Sequence, residues 1–283
     1  MKLAQKNLLA HPSELAINSV HAVAFHRGLG EPLNATSSTP MSKYLDSQGV
    51  ADFSDAAYAR SNIAVVANGA QHSELSKWVK EFFGETGTGS SEIKIEQKPT
   101  KYFGGEERIA HASGNVMILG FPGTSSFTSG SSYKPEIAVL SALLGGETSI
   151  KWSPGFSLLA KASDAFPGAH VNTTNHAYSD AGLLTVTISG KSSDIAKASK
   201  AVVDAIKKVA AGEVGAEEIK KATQLAKYRA LESGQSLQVG LEATGNGLIS
   251  GGKPYQIDEM GSTIERVGAD KVKAVSLHVC FNP

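Results

Sequence analysis

The sequence predicts an α+β protein made of two homologous halves, and three observations predict it. Amphipathic segments with apolar residues three and four apart dominate the chain. Short runs of aliphatic and β-branched residues closed by glycine lie between them. A pattern of helix, Gly-Pro corner and Ala-Asp helix occurs twice.

The elements follow in order. "PSELAINSVHAVAFHRG" carries Leu15, Ile17, Val20, Val23 and Ala24 behind a Pro-Ser start and ahead of Gly28, which predicts a helix from about Ser13 to His26. A second helix is expected near Ser47 to Tyr58. It leads into "NIAVVANG", read as a short strand ended by Gly69. "HSELSKWVKEFF" reads as a helix capped by Ser73 with Trp78, Val79 and Phe82 on one face. "GETGTGSSEIKIEQKPTK" has the composition of a linker.

Beyond it, "NVMILGF" reads as a strand, "KPEIAVLSALLGG" as a helix with Pro135 near its start, and "AGLLTVTISG" as a strand ending in Gly190. "SSDIAKASKAVVDAIKKVAAG" places Ile195, Ala198, Val202, Ile206 and Val209 on one face and ends at Gly212. The stretch "AEEIKKATQLAKYRALESGQSLQVGLEATGNGLISGG" reads as a further long helical region.

The repeat sets the domain organisation. A helix runs into "RGLGEPL" and then "QGVADFSDAA"; later a helix runs into "ISGGKPY" and then "ERVGADKVKAV", with Pro32 and Pro254 at the corners. The first copy leads into the predicted strand "NIAVVANG", whereas the second leads into "SLHVCFNP", a tail that fits neither copy. The expectation is residues 1–84 as the later half of a first domain, 85–100 as linker and 101–283 as a second domain. The first domain is expected to lack its beginning and the second its last strand.

Charge and composition exclude several functions. Lys plus Arg and Asp plus Glu are 27 each in 283 residues, so no net field draws the chain to nucleic acid or anionic lipid. No apolar run approaches the roughly 18–20 residues of a membrane span, and none is expected. The start "MKLAQKNLLAHPSEL" shows no targeting segment. One cysteine, Cys280, excludes an internal disulfide and fits a reducing compartment. The sequons at Asn34 and Asn172 are read as ordinary loop or strand residues.

Gly145 and Gly146, followed by Thr148, Ser149 and Lys151, invite comparison with a phosphate loop, but they close a helix instead of opening one, and no strand feeds them. HExxH and HxxEH, which set two histidines one turn apart to share zinc, are both absent. His21 and His26 are five residues apart and not on one helical face; His170 and His176 flank a strand-like segment without carboxylates. There is no GxSxG elbow, and "GTGSSE" lies in the linker. No catalytic, cofactor-binding or metal-binding residue is therefore expected.

"HAYSDAGLLTVTISG", "KYFGGEERIAHASGNVMILGFPG" and "LLGGETSIKWSPGFSLLAKA" together resemble the C-terminal domain of the pitrilysin and mitochondrial processing peptidase superfamily. "SVHAVAFHRGLGEPL" resembles a corner in the first half, so the likeness runs from about His11 to Val275. The resemblance is nearest to the core proteins of respiratory complex III, ubiquinol:cytochrome c reductase. It implies two homologous α+β domains with antiparallel or mixed sheets and helices packed on one face.

For function, the resemblance implies a non-catalytic subunit on the matrix side of the mitochondrial inner membrane, with a homologous core protein 1 and other complex III subunits as partners. The alternative it offers is an α-like or degenerate subunit of a zinc-dependent processing peptidase. Active members carry HxxEH in the first domain, at positions upstream of Met1. They also place an Arg and a Tyr shortly before "YSDAGL", and residues 155–177 contain neither type. In place of a long glycine-rich loop stands "GGETSIKWSPG", followed by Phe156. A shortened chain is expected to expose sheet edges and apolar faces, and so to self-associate.

Overall fold

A computed structural model describes residues 3, 6, 9–32, 46–88, 98–129, 132–146 and 155–281. Its centre is a three-stranded antiparallel sheet of β1 (Asn115–Pro122), β2 (Ala169–Ala177) and β3 (Gly182–Gly190), in the order β1-β3-β2. β2 and β3 form a hairpin in which Tyr178 N–H donates to Ala181 O at 2.9 Å, and the register runs from Ala177 opposite Gly182 to Ala169 opposite Gly190.

Alternation assigns the two faces. Met117, Leu119 and Phe121 pair with Ile188, Val186 and Leu184, which pair in turn with Val171, Thr173 and Asn175. This face carries the main core. Gly120 pairs with Thr185, and Thr185 and Leu183 pair with Thr174 and His176 on the opposite face.

Helices cover the main face. α4 (Pro135–Leu144) is apolar nearly all round, with Ile137, Val139, Leu140, Leu143 and Leu144 fully buried, so it lies in the middle of the helical layer. Each such side chain contributes about 1.5–3 kcal/mol of transfer free energy. A short helix, α5 (Leu158–Ala162), is capped by Ser157. α6 (Ser192–Ala211) buries the predicted stripe Ile195, Ala198, Val202, Ile206 and Val209. Gly212, at φ +81°, ends it, and Glu213 N–H returns to Lys208 O, the helix-stop geometry that glycine permits.

The later helices are α7 (Ala216–Gly234), α8 (Leu237–Ile249), α9 (Ile257–Glu265) and α10 (Ala269–Phe281). The long helical region predicted from Ala216 onward breaks between α7 and α8, where Gln235 and Ser236 turn the chain. The tail, to which the sequence assigns no element, is helical: "SLHVCF" continues α10, with Ser276 and Val279 buried and the Ser276 hydroxyl donating to Ile206 O at 3.1 Å.

α1 (Pro12–Phe25) lies on the second face of the sheet. A Cβ on Gly120 would stand 2.7 Å from Val20 Cγ2, so the missing side chain is what lets the helix approach. Ala24 and Phe25 join Leu183 in a small second cluster. Residues 102–114 then run back along α1: Phe103 N–H donates to Ala24 O, Ser19 to Glu107, and His111 Nε2 to Leu9 O. α1 is thus held between this strap and the sheet.

α2 (Ser47–Ala57) is capped by Asp46, whose side chain accepts from Gly49 N–H at 2.7 Å. α3 (His72–Phe83) spans the predicted stretch but takes no cap from Ser73, which lies inside it. The strand expected at "NIAVVANG" does not form among the described residues: 60–62 make a short 3₁₀ turn and 63–67 pair with nothing. β propensity needs a neighbouring strand to express it.

Candidate functional site

Gly145 (φ +60°) and Gly146 (φ +155°) end α4, as the sequence predicts. A Cβ on Gly146 would stand 2.2 Å from Val171 O, and Gly145 O accepts from Thr173 Oγ1 at 2.5 Å. The turn therefore lies on the edge of β2, with its amides turned to the protein. Gly146 N–H donates to Ser157 Oγ, which also caps α5 through Ala160 N–H. Thr148, Ser149, Lys151 and Trp152 lie outside the described residues.

Residues 155–177 lead into β2. Ala169, Val171 and Thr173 point into the main core, while His170, Asn172 and Thr174 face outward. The window contains α5 and β2 and neither Arg nor Tyr.

The histidines separate into two kinds. His26 and His170 are exposed. His26 is the one described non-glycine residue with positive φ (φ 60°, ψ −45°), and its ring meets Phe103 edge-on at 4.8 Å. His21 is buried in the seam between α1 and the hairpin. Its Nδ1 lies 2.7 Å from Ile17 O and its Nε2 2.7 Å from Tyr178 Oη. The His176 ring stands edge-to-face with it, centroids 5.3 Å apart, and His176 Nε2 is 3.2 Å from Thr185 Oγ1.

Burial, and then His21 beside it, hold the His176 imidazole below its ordinary pKa; burial raises the Tyr178 phenol. Sequence spacing did not bring these residues together, because His21 and Tyr178 are 157 positions apart and no period links them. Among the described residues no three His, Cys, Asp or Glu side chains gather as a metal site. The seam fastens α1 to the sheet, with no carboxylate in its hydrogen-bond network.

A small antiparallel sheet under a helical layer, joined to a glycine-closed central helix, is the architecture of a peptidase-like domain. The chain belongs to the family described as peptidase M16 inactive domain, whose model matches residues 44–225. The superfamily resemblance read from "HAYSDAGLLTVTISG" is thereby borne out.

Relatives give finer detail. The chain is 43% identical over 96% of its length to the Neurospora crassa protein named cytochrome b-c1 complex subunit 2, mitochondrial, covering 59% of that protein. It is 39% identical to the Cryptococcus neoformans protein of the same name, over 87% of this chain and 55% of that one. The chain therefore spans somewhat under three fifths of the length of these curated relatives. In fold it matches a chain of complex III2 from Candida albicans, Inz-5 bound, with a TM-score of 0.74 over 97% of this chain and 65% of that one, at 14% identity.

Proposed function

We propose that the chain serves as a non-catalytic structural subunit of the core-protein-2 type in mitochondrial respiratory complex III. It supports assembly and stability by burying surface against a homologous core protein 1 and other subunits of the complex, on the matrix side of the inner membrane. The reading assigns no catalytic, cofactor-binding or metal-binding residue to this chain. The carrying observation is that residues 155–177, where the resemblance places an Arg and a Tyr in active members, contain neither.

Two further features support it. The relatives bear the name of a cytochrome b-c1 complex subunit. Large apolar side chains are also exposed: Phe53, Trp78 and Phe82 on α2 and α3, and Leu248 and Ile249 on α8. Faces of that kind suit docking better than solvent. We place the domain boundaries at 1–84 and 101–283, with 85–100 between them. Arg60 holds Gly84 and Thr86 carbonyls, and Asp180 holds Thr100, which supports anchorage at both ends of the connection.

The test is co-expression with a homologous core protein 1, followed by co-purification, zinc analysis and a presequence-peptide cleavage assay with and without added zinc. Stable co-purification without zinc or cleavage is expected. Zinc-dependent cleavage that requires this chain would overturn the proposal in favour of a processing-peptidase subunit.

A further inference from the structure

We infer that His21, His176 and Tyr178 form a pH-sensitive clasp that fastens α1 to the β2–β3 hairpin when the imidazoles are neutral and releases it when they are protonated. The hydrogen-bond chain fixes both tautomers. Ile17 O can only accept, so His21 Nδ1 carries the proton and Nε2 accepts from the Tyr178 hydroxyl. The Thr185 hydroxyl donates to Thr174 O at 3.2 Å, so it accepts from His176 Nε2–H. Two neutral rings satisfy all these partners.

The Tyr178 hydroxyl can turn to accept from a protonated His21 Nε2, so a proton on that ring alone is accommodated. A second proton on His176 would set two cations in one seam, with ring centroids 5.3 Å apart. Among the described residues no carboxylate enters the hydrogen-bond chain of the seam. The hairpin offers His176 and Tyr178; its Asp180 is engaged by Thr100 N–H and Oγ1. The strap offers Tyr102, whose hydroxyl donates to Gly120 O, and Glu107, which takes Ser19. β3 presents Thr185 and Leu183, and β1 presents Gly120.

α1 is the element such a clasp can move. Its apolar anchorage to the sheet is the small cluster of Ala24, Phe25 and Leu183, not the main core, and it has no side-chain N-cap. His176 is held below the ordinary imidazole pKa in the closed seam. The sign follows: closure is complete above the free imidazole value of about 6.5 and is lost as pH falls through that value and below it.

The test is hydrogen–deuterium exchange of the whole chain at pH 7.5 and 5.5, with rates corrected for intrinsic chemistry. Amides of Val20 to Phe25 should lose roughly ten-fold protection in acid, while Val202 to Val209 in α6 stay unchanged. His176→Gln keeps a donor for Thr185 without a titrating ring and should abolish the difference. Protection of α1 independent of pH, or a pH effect retained in His176→Gln, would overturn the clasp. Should that variant fold poorly, ¹⁵N spectra of the unaltered chain decide: an Nδ1–H tautomer for His21 and Nε2–H for His176 support it, and the opposite tautomer at either ring overturns it.

Discussion

Gly252 lies so close to Thr128 that a Cβ placed on it would stand 1.9 Å from the Thr128 carbonyl oxygen. The same carbonyl accepts from Lys253 N–H at 2.8 Å, and Lys253 Nζ sits 4.0 Å above the Phe127 ring. The corner "SGGKPY" is thus docked backbone-to-backbone on the turn after β1. Gly252→Ala must push these backbones apart, at about 1–3 kcal/mol of stability, the usual range for overpacking. Gly251, with φ +68° and open space around it, offers the comparison. There Ala meets backbone strain alone and Asn should be tolerated better than Ala. Urea midpoints of the variants check both.

Asp180 accepts from Thr100 N–H at 2.8 Å and from Thr100 Oγ1 at 3.1 Å, tying the residues after the connection to the hairpin turn. Asp180→Ala removes both acceptors and should cost about 0.5–1.5 kcal/mol, while Asp180→Asn keeps one acceptor and recovers part of the loss. The Thr100 amide should exchange faster in both variants, and most in the alanine variant.

Where local pattern suffices, the fold was legible in the sequence. α6 has its five stripe residues buried as the three-four spacing requires, and β1 and β3 stand where glycine-closed aliphatic runs placed them. The glycine pair after Leu144 ends its helix as expected. What failed depended on partners distant in the chain. "NIAVVANG" has strand composition but no described strand beside it, so nothing completes its ladder.

"SLHVCF" became helix because Ser276 and Val279 find a groove that includes Ile206, a contact no local window contains. β2 contains the segment read as strand-like between His170 and His176, and it alternates buried and exposed residues from Ala169 to Thr173. The His21 seam was invisible for the same reason of distance.

Val279 tests the docking of the tail. It is buried in α10, while Leu277 on the same helix is 41% exposed. Val279→Ala deletes two buried methyl groups and should destabilise by about 2 kcal/mol, whereas Leu277→Ala should stay within about 0.5 kcal/mol. Equal effects at the two positions would show that the tail is not docked as a helix. Thermal melts are sufficient to separate them.

Tyr133 supplies a pH test at the opposite end of the scale. Its hydroxyl is buried without a hydrogen-bond partner among the described residues, and its ring meets Phe127 edge-on at 5.3 Å. Burial first, then the Glu136 carboxylate and Tyr255, push its pKa up from 10.0 to about 12. The folded state therefore prefers the neutral phenol. Its contribution is complete below the unfolded value of about 10 and is lost as pH rises through 12. Tyr133→Phe removes an unsatisfied polar atom with little change of shape, so it should match or exceed the parent in stability at neutral pH, by up to about 1 kcal/mol. The stability difference in favour of the variant should widen between pH 10 and 12, because phenylalanine has no proton to lose. Chemical denaturation across that range measures it, and a variant clearly weaker at pH 7 would show that the Tyr133 hydroxyl has a stabilising partner.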